Sequence, residues 1–387
     1  MTNYIYMDNA ATTHVRPEVI NAICSCLKEL NGNASSLYEI GLQCRAKLEE
    51  ARAAISHTLN CMPNEIFFTS GGTESDNWAI KGVAHKMQAK GKHIIVSAIE
   101  HSAVMESCSF LEKMGYRITY LPVDSYGVVS LHELENSITD ETILISIMSV
   151  NNEVGTIQPI EAISQLAKHH NIYFHTDAVQ GYGKIPINLA ELPGISMLSI
   201  SGHKFNGPKG VGALFIRRGT QLSPLIHGGQ QEGNLRAGTE NVPSIVGMKT
   251  AVELCFQEFD VNTQKLQLLA KRFIALIEHD IPNCIINGNT SNILTGIISI
   301  TFPGVDALFL LYLLEAENIY VSNGAACNCK NAKASKVLVA MGNSQEYAKS
   351  TLRFSLNYTN CMEEIEHVVN VLKEKLALIE NIRHEGV

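Results

Sequence analysis

The chain has 387 residues, of which 45% are hydrophobic and 18% charged, with a formal net charge of −8. This length predicts one enzyme subunit of two domains, and the absence of a Lys/Arg block argues against direct nucleic-acid binding. No apolar run is long enough to span a bilayer and the N-terminus lacks signal-peptide features, so we expect a cytoplasmic protein with no membrane association. Its ten cysteines then predict free thiols.

Between residues 60 and 216, short apolar runs alternate with stretches of helical periodicity. This alternation predicts an α/β fold with a seven-stranded, mostly parallel sheet. A helix-rich stretch over about 242–278, further strands near 297–301 and 319–321, and a terminal helix over about 362–382 indicate a smaller α+β domain. The seven predicted strands begin at Ile66, His93, Ile118, Ile143, Ile172, Met197 and Ala213.

One lysine, Lys204, lies directly after an apolar strand in the sequence Ser-Gly-His-Lys. This is the setting of a Schiff-base lysine, whose amine loses its proton and condenses with a carbonyl. Asp177 closes the preceding strand, where it can pair with a protonated pyridine nitrogen. Together the two groups form the protein side of pyridoxal 5'-phosphate (PLP) chemistry. Taken alone, a lysine in this position is more often an ordinary surface residue.

A glycine-rich turn, Thr69-Ser-Gly-Gly-Thr-Glu-Ser75, follows the first predicted strand and opens a helix. Free N–H groups and the helix dipole favour an anion there, so the pattern predicts a phosphate cradle. Ser201 and His203 offer further donors beside Lys204. The alternative is a glycine turn in which Ser or Thr caps the helix.

Two more polar segments follow predicted strands, and ligands of parallel sheets bind outside the carboxyl ends of the strands. We therefore expect all of these groups to share one site. His101 either stacks on a cofactor ring and moves protons or is a capping or packed histidine. Asn151 and Asn152 either supply an amide to a phenolate oxygen or form a turn.

The segment Asn323–Lys330 is rich in small and polar residues and contains two cysteines. An exposed cysteine beside a lysine is partly thiolate and nucleophilic, whereas the general alternative is a buried, inert thiol. Arg353 lies inside an apolar strand, and a buried guanidinium needs an anion. A substrate carboxylate would bind it bidentately, and a structural ion pair is the competing interpretation.

Together these motifs resemble the cysteine desulfurases of the NifS/IscS type over essentially the whole chain. The resemblance implies a fold-type-I PLP enzyme, a homodimer, with a large PLP-binding domain (residues 13–258) and a small domain that carries a catalytic cysteine (residues 1–12 and 259–387). It implies that L-cysteine becomes L-alanine and that the sulfur passes to an acceptor protein for Fe–S cluster assembly, tRNA thiolation or a related pathway. The matching motifs include Asp8-Asn-Ala-Ala-Thr-Thr13, Gly72-Thr-Glu-Ser75, Glu100-His101, Asn151-Asn-Glu-Val-Gly155, Asp177-Ala-Val-Gln180, Ser201-Gly-His-Lys204, Arg236-Ala-Gly-Thr239 and Arg353-Phe-Ser-Leu356.

The resemblance also implies a role for each matching residue and no metal ion. Lys204 would hold PLP covalently and move protons, and Asp177 would keep the pyridine nitrogen protonated. Cys327 would attack the substrate sulfur and become a persulfide. The other implied contacts are Gln180 on the phenolate oxygen, His101 on the ring face, Gly72, Thr73, Ser201 and His203 with Thr239 of the partner subunit on the phosphate, and Asn9, Ala10, Asn152 and Arg353 around the substrate.

Two segments depart from the family's pattern. The nucleophile segment usually reads Ser-Gly-Ser-Ala-Cys-x-Ser, but here Cys329 occupies the last position. This second cysteine is a bystander, a relay thiol that takes the sulfur from Cys327, or half of a metal or cluster site completed by an acceptor. In residues 32–38, Ala34 and Tyr38 replace the usual Pro and His, which puts the local loop geometry in doubt.

Three other functions compete with the desulfurase. A selenocysteine lyase on the same scaffold would not depend on Cys327 in the same way. A sulfur-relay or scaffold protein with little turnover of its own would be expected to have lost the PLP residues, which are all present. An aminotransferase would have no use for the Cys327 segment.

Overall fold

The computed structural model describes residues 4–288, 292–324 and 334–385. Within them, no helix is long and apolar enough to cross a membrane. The strands are β1 Ile5–Tyr6, β2 Ile66–Thr69, β3 His93–Ser97, β4 Arg117–Leu121, β5 Thr142–Ser146, β6 Tyr173–Asp177, β7 Ile195–Ser201, β8 Gly212–Ile216, β9 Ile285–Asn287, β10 Ile297–Thr301, β11 Ile319–Tyr320 and β12 Thr351–Ser355. The helices are α1 Pro17–Glu29, α2 Glu39–Leu59, α3 Gly72–Met87, α4 Ser102–Lys113, α5 Leu131–Ser137, α6 Ile160–His169, α7 Gln231–Asn234, α8 Val242–Gln257, α9 Phe259–Asp280, α10 Ala307–Glu315, α11 Lys336–Ala340, α12 Gln345–Lys349 and α13 Met362–Glu385.

All seven strands predicted between residues 60 and 216 form one sheet, in the order β2-β8-β7-β6-β5-β3-β4. Six of them are mutually parallel, and β8 runs antiparallel to both of its neighbours. The predicted seven-stranded, mostly parallel α/β sheet is therefore confirmed. The carboxyl ends of the six parallel strands lie along one edge, where the polar segments of the sequence follow them.

Helices cover both faces of this sheet, which explains why its strands read as continuous apolar runs rather than alternating ones. On one face α3 and α4 pack through Trp78, Val83 and Val104. On the other, α2 and α8 pack through side chains such as Ile55 and Val252. Every residue of β3, β5, β7 and β8 is buried. A sheet held from both sides provides a rigid edge for the groups at its strand ends.

A second hydrophobic core surrounds the antiparallel sheet β12-β10-β9, which α9, α10 and α13 cover. The helix-rich stretch, the strand near 297–301 and the terminal helix all appear where the sequence predicts them. The strand near residue 319 is shorter than predicted. The sequence predicts no strand at the position of β9. The division at residues 12 and 258 stays a prediction. None of the eight cysteines that the structure describes forms a disulfide.

The N-terminal segment Asp8–Thr13 connects the two sheets. At its start, the Ala10 N–H donates to Ser355 Oγ of β12 (2.9 Å). At its end, Thr13 Oγ1 donates to the carbonyl of His203 (2.8 Å) and accepts from the N–H of Asn206 (2.8 Å), beyond the end of β7. These hydrogen bonds bring residues that are far apart in the sequence close together. A site at this position therefore contains residues from both sheets.

A buried ion pair anchors the segment around α7 to the large sheet. The Arg52 guanidinium donates two hydrogen bonds to the Glu232 carboxylate (2.9 and 3.0 Å), which also accepts from the N–H of Phe68 (2.9 Å). Glu232 adopts a left-handed backbone conformation (φ 44°). Such a conformation is unfavourable for a residue other than glycine and persists only where the surroundings fix it, which these three hydrogen bonds do.

We expect Glu232→Ala to destabilise the protein by about 3–5 kcal/mol, because it removes the buried partner of the Arg52 charge and leaves only the exposed carboxylate of Glu49 beside it. For a chain of 387 residues this corresponds to a fall in melting temperature of roughly 4–6 °C, measured by calorimetry. Glu49→Ala is the matched control, since Glu49 pairs with the same arginine (3.4 Å) from an exposed position. Its expected cost is below about 1 kcal/mol. Equal losses for the two variants would contradict the assignment.

Candidate active site

A cavity of about 470 Å³ opens at the carboxyl ends of the parallel strands. It brings together most of the residues singled out in the sequence. Those lining it are Ala10, Gly72, Thr73, His101, Asn152, Asp177, Gln180, Ser201, His203, Lys204 and Arg353. Asn9 lines a second cavity of about 280 Å³, to which Ala10 and Lys204 also contribute.

The Lys204 side chain points inward, towards the N-terminal segment. Its Nζ donates to the backbone carbonyls of Ala10 (2.6 Å) and Ala11 (2.8 Å). A single 3-10 turn over Gly202–Lys204 follows β7 and directs the side chain into the cavity. Lys204 is therefore not an ordinary surface lysine, and its amine is held at the boundary between the two cavities.

Helix α3 begins at the cavity, as the glycine-rich turn predicts. Gly71 has φ 151°, in a region that favours glycine, and a Cβ on Gly72 would lie 2.6 Å from Val179 Cγ2. The two glycines thus allow the helix N-terminus to approach the end of β6 closely, where its first N–H groups have no partner within the helix. Glu74 accepts from the Ser70 N–H (2.8 Å) and pairs with Arg236 (2.9 Å), which fixes the turn.

His203 precedes Lys204 in the sequence and lines the same cavity as the start of α3. Its Nδ1 lies 3.1 Å from Thr12 Oγ1. Burial, with a smaller effect from nearby lysines, lowers the pKa of His203 to about 4. The imidazole is therefore neutral near pH 7 and offers an anion a hydrogen-bond donor without a charge. Ser201, which is buried, lies beside it at the end of β7.

Asp177 is buried at the end of β6, with Oδ1 accepting the N–H of Val179 (2.9 Å). Burial raises the pKa of this carboxyl, and the charges of His101 and Lys204 act in the opposite direction. A cation at the cavity floor would therefore favour its ionised form. This is the environment that a protonated pyridine nitrogen requires.

Two further carboxyl groups, Asp76 and Glu100, lie beside Asp177, and the sequence analysis gave neither a role. Burial raises the pKa of Asp76 well above its usual range, and the charge of Asp177 adds to the effect. Burial also raises the pKa of Glu100 to about 8. A sequence signal existed for Asp76, because it lies four residues after Gly72 and so shares a face of α3 with it.

His175 separates Asp76 from the sheet interior. Its Nε2 lies 3.6 Å from Asp76 Oδ1, too far for a hydrogen bond, and that oxygen has no other partner among the described residues. Burial lowers the pKa of His175 to about 3, so the pair is a neutral imidazole beside a carboxyl rather than a salt bridge. Asp76 Oδ1 therefore lies at the cavity wall without a hydrogen-bond partner among the described residues.

His101 has the capping role weighed from the sequence and also lines the cavity, while its stacking on a cofactor ring stays a prediction. Its Nδ1 accepts the N–H of Ala103 (3.1 Å), so the histidine caps α4, and its ring also lines the cavity. Asn151 has the structural role, because its amide donates to the Ile99 carbonyl (3.0 Å) and accepts from two N–H groups of its own turn. Asn152, the next residue, lines the cavity.

Arg353 extends from β12 across the gap between the two sheets. Its guanidinium donates to Asp8 Oδ1 (2.7 Å) and to the carbonyl of Asn152 (2.9 Å). The structural ion pair weighed from the sequence is therefore present. However, the Nε of Arg353 is buried without a partner among the described residues, so the group retains a donor for an anion at the cavity.

Gln180 connects Lys204 to a second half-buried lysine. Its Nε2 donates to the same Ala10 carbonyl (2.7 Å), and its Oε1 accepts from Lys184 Nζ (2.9 Å). Burial, and to a smaller extent the positive charge of Lys204, lowers the pKa of Lys184 to about 7. The sequence analysis did not single out Lys184, because it belongs to none of the motifs considered.

Cys327 and Cys329 lie outside the described residues, which stop at Gly324 and resume at residue 334. Ser335, just after the gap, donates to Glu153 at the cavity (2.5 Å). Thr239 is exposed and is not part of the cavity lining in this chain. Its contribution to the site of a partner subunit stays a prediction.

Comparisons with known proteins agree with this arrangement. The class-V aminotransferase family profile matches residues 5–368. The chain belongs to this family, among the NifS/IscS-type cysteine desulfurases. It is 49% identical over 379 residues to the cysteine desulfurase IscS of Methanosarcina thermophila, covering 98% of this chain and 93% of the relative. Among solved structures it resembles a NifS-like protein (TM-score 0.91, 38% identity, covering 97% and 100% of the two chains) and SspA in complex with cysteine (0.82, 38%, 92% and 100%).

The cofactor of this family is PLP, and the residues of the cavity fit it. The N-terminus of α3 at Gly72, packed so closely on Val179 that a Cβ would not fit, lines the cavity and suits a phosphate, and the buried Asp177 suits a pyridinium. Potential ligand atoms of Asp76, His101 and Asp177 also lie within 4.8 Å of one another, close enough to share a metal ion. PLP would occupy the same space.

We expect the stability contributed by Glu100 to fall with rising pH. The folded protein keeps its proton up to about pH 8, whereas the unfolded chain releases it near its ordinary pKa of about 4.3, so this stabilisation is complete at low pH and is lost as the pH rises through 8. The melting temperature of the wild type relative to Glu100→Gln should therefore decrease from about pH 5 to pH 8.5. Exposed Glu161→Gln is the control, and a constant difference for Glu100→Gln would contradict the prediction.

Proposed function

We propose that this protein is a PLP-dependent cysteine desulfurase that converts L-cysteine to L-alanine and carries the sulfur on Cys327. One observation carries the proposal: Lys204, Asp177 and Arg353 line the same cavity, although they lie on different elements. The first two groups serve a pyridoxal cofactor and the third serves a carboxylate. The cysteine desulfurase relatives, at up to 49% identity over nearly the whole chain, support the reaction.

When bound, PLP supplies an electron sink that weakens bonds at the substrate's α and β carbons. Lys204 holds the cofactor and afterwards moves protons at its Nζ, for which the carbonyls of Ala10 and Ala11 fix its position. Asp177 stabilises the positive charge of the pyridine nitrogen. His101 would lie against the ring, and Gln180 would donate from its amide to the ring oxygen.

The phosphate is proposed to bind at the start of α3. Gly72 and Thr73 supply the helix N-terminus, and Ser201 and His203 supply side-chain donors. Thr239 of the partner subunit would complete this set, which requires the homodimer that the family resemblance implies. The substrate carboxylate is proposed to bind Arg353, with Asn152, Asn9 and Ala10 around it.

In the sulfur step, the sulfur atom of the substrate is transferred to the thiolate of Cys327. The Cys327 thiolate attacks the substrate sulfur, an S–S bond forms, and the substrate C–S bond breaks with its electron pair remaining on the carbon side. That carbon takes up a proton, so the products are L-alanine and a Cys327 persulfide, and atoms and electrons balance. An acceptor protein then removes the persulfide sulfur, in Fe–S cluster assembly, tRNA thiolation or a related pathway. Cys329 is a candidate relay thiol or metal ligand in that transfer.

Cys327→Ser should abolish thiol-dependent sulfide release from L-cysteine by the PLP-loaded protein, because serine cannot accept sulfur. The expected loss is at least about 100-fold, by analogy with removal of other catalytic nucleophiles. Cys329→Ser is the matched control, two residues away, and should retain release.

Three outcomes would change the assignment. Release that survives in Cys327→Ser but not in Cys329→Ser would make Cys329 the nucleophile. Release that survives in both, with faster turnover of L-selenocysteine, would favour the selenocysteine lyase. No release by a wild type that has bound PLP would reject the proposed reaction under these conditions.

Arg353→Lys should raise KM for L-cysteine by roughly 10–100-fold, because an ammonium cannot reproduce the planar array of donors that serves Asp8, Asn152 and a carboxylate at once. The effect on kcat should be smaller if the contact is equally strong in the ground and transition states. Arg272→Lys is the control, since Arg272 forms an exposed pair with Glu366. An unchanged KM would assign Arg353 a purely structural role.

A further inference from the structure

Lys184 is a half-buried lysine that the proposed reaction does not use. It lines the second cavity, and its Nζ donates to Gln180 Oε1 (2.9 Å). No carboxylate lies within ion-pair distance of it among the described residues. Burying an amine without a counter-charge costs free energy, so a lysine at this position calls for an explanation other than a structural salt bridge.

The hydrogen bonds of Gln180 fix which end of its amide faces which group. A backbone carbonyl can only accept, so the Ala10 carbonyl takes the nitrogen end of the amide and leaves its oxygen facing the Lys184 amine. Lys184 therefore holds Oε1, while the carbonyl of Ala10 holds one hydrogen of Nε2 (2.7 Å). The second hydrogen on Nε2 is left to donate to a ring oxygen in the active-site cavity, which Gln180 also lines.

We infer that Lys184 is a positioning residue, which orients and polarises the Gln180 amide so that its nitrogen donates to the phenolate oxygen of PLP. Donation to an amide oxygen draws electron density from the amide nitrogen and strengthens its N–H as a donor. Lys184 thus acts on the cofactor without touching it. The inference rests on the proposed contact of Gln180 with the cofactor and deepens it.

The Gln180 amide needs a second hydrogen-bond partner because it shares the Ala10 carbonyl with Lys204. This carbonyl accepts from both Lys204 Nζ (2.6 Å) and Gln180 Nε2 (2.7 Å). When Lys204 moves during catalysis, the constraint on the Gln180 amide from this side changes. Lys184 approaches from the opposite side, in the second cavity, and its hold on Oε1 does not depend on where Lys204 points.

The test is a pH titration of the visible absorption band of bound PLP, which changes when the lysine-linked nitrogen loses its proton. A donor to the phenolate oxygen stabilises the negative charge there and so weakens the hold of that oxygen on the neighbouring proton. Gln180→Leu should raise the midpoint by about one pH unit, a tenfold change in the dissociation constant. Lys184→Met should raise it by roughly half a unit.

A double mutant separates positioning from a direct charge effect of Lys184 on Lys204. If Lys184 acts through Gln180, adding Lys184→Met to Gln180→Leu leaves the midpoint where Gln180→Leu alone puts it. A further rise in the double mutant would overturn the inference, because the charge would then act independently of the amide. An unchanged midpoint in Lys184→Met would overturn it as well.

A variant that does not retain the cofactor cannot be titrated. Lys184→Gln, which is uncharged and shorter, replaces Lys184→Met if the methionine variant does not retain the cofactor. If Gln180→Leu itself leaves the midpoint unchanged, the amide does not contact the phenolate and the inference fails. The titration needs no turnover, so the sulfide-release assay judges the desulfurase proposal separately.

Discussion

The carbonyl oxygen of Ala10 is the point on which the geometry of the site depends. It accepts from Lys204 Nζ and from Gln180 Nε2, and the N–H of the same residue donates to Ser355. The backbone of one residue therefore fixes the reactive amine, a proposed cofactor ligand and the edge of the smaller sheet. Because two strong donors share this acceptor, a displacement of the N-terminal segment would move all three together.

The electrostatics of the cavity follow from how few of its ionisable groups can be charged at once. Asp76, Glu100 and Asp177 are buried close together, and burial raises the pKa of each. Two of them can remain protonated so that the third ionises, and the cations around Asp177 favour that residue. His175 and His203, whose pKa values burial lowers, add no positive charge near pH 7. The cavity is thus prepared for a ligand with one cationic and one anionic end.

The sequence predicted the large sheet well because β3, β5, β7 and β8 are buried along their whole length and flanked by helices, which gives clear apolar runs. It also placed the strand-end residues in one site, since the edge of a parallel sheet gathers them. The three-residue strand β9 was missed because short strands leave little periodic signal. The roles of Asp8 and Lys184 were missed for another reason: each depends on a tertiary contact that no local spacing encodes.

Other expectations needed more than the fold. The structure contains both the capping and the cavity-lining role of His101, and both the ion pair and the unsatisfied donor of Arg353, so alternatives that looked exclusive in sequence coexist. Side chains with several polar atoms can serve two partners, and a motif names only one of them. The family resemblance supplied the reaction, and the structure supplied the contacts that make it physically reasonable.

The position of the N-terminal segment has a consequence for how the protein is made. Ile5 pairs with Ile319, and Asp8 lies beside Ser355, so this segment is translated more than 300 residues before its native partners. The seven-stranded sheet is complete by residue 216 and can form while the chain still grows. The N-terminal segment that contains Ala10, however, cannot dock until β12 has been translated. A chain that stopped before β12 would carry Lys204 at the end of β7 but would lack the docked carbonyls of Ala10 and Ala11 that hold its amine, so its active site would be incomplete.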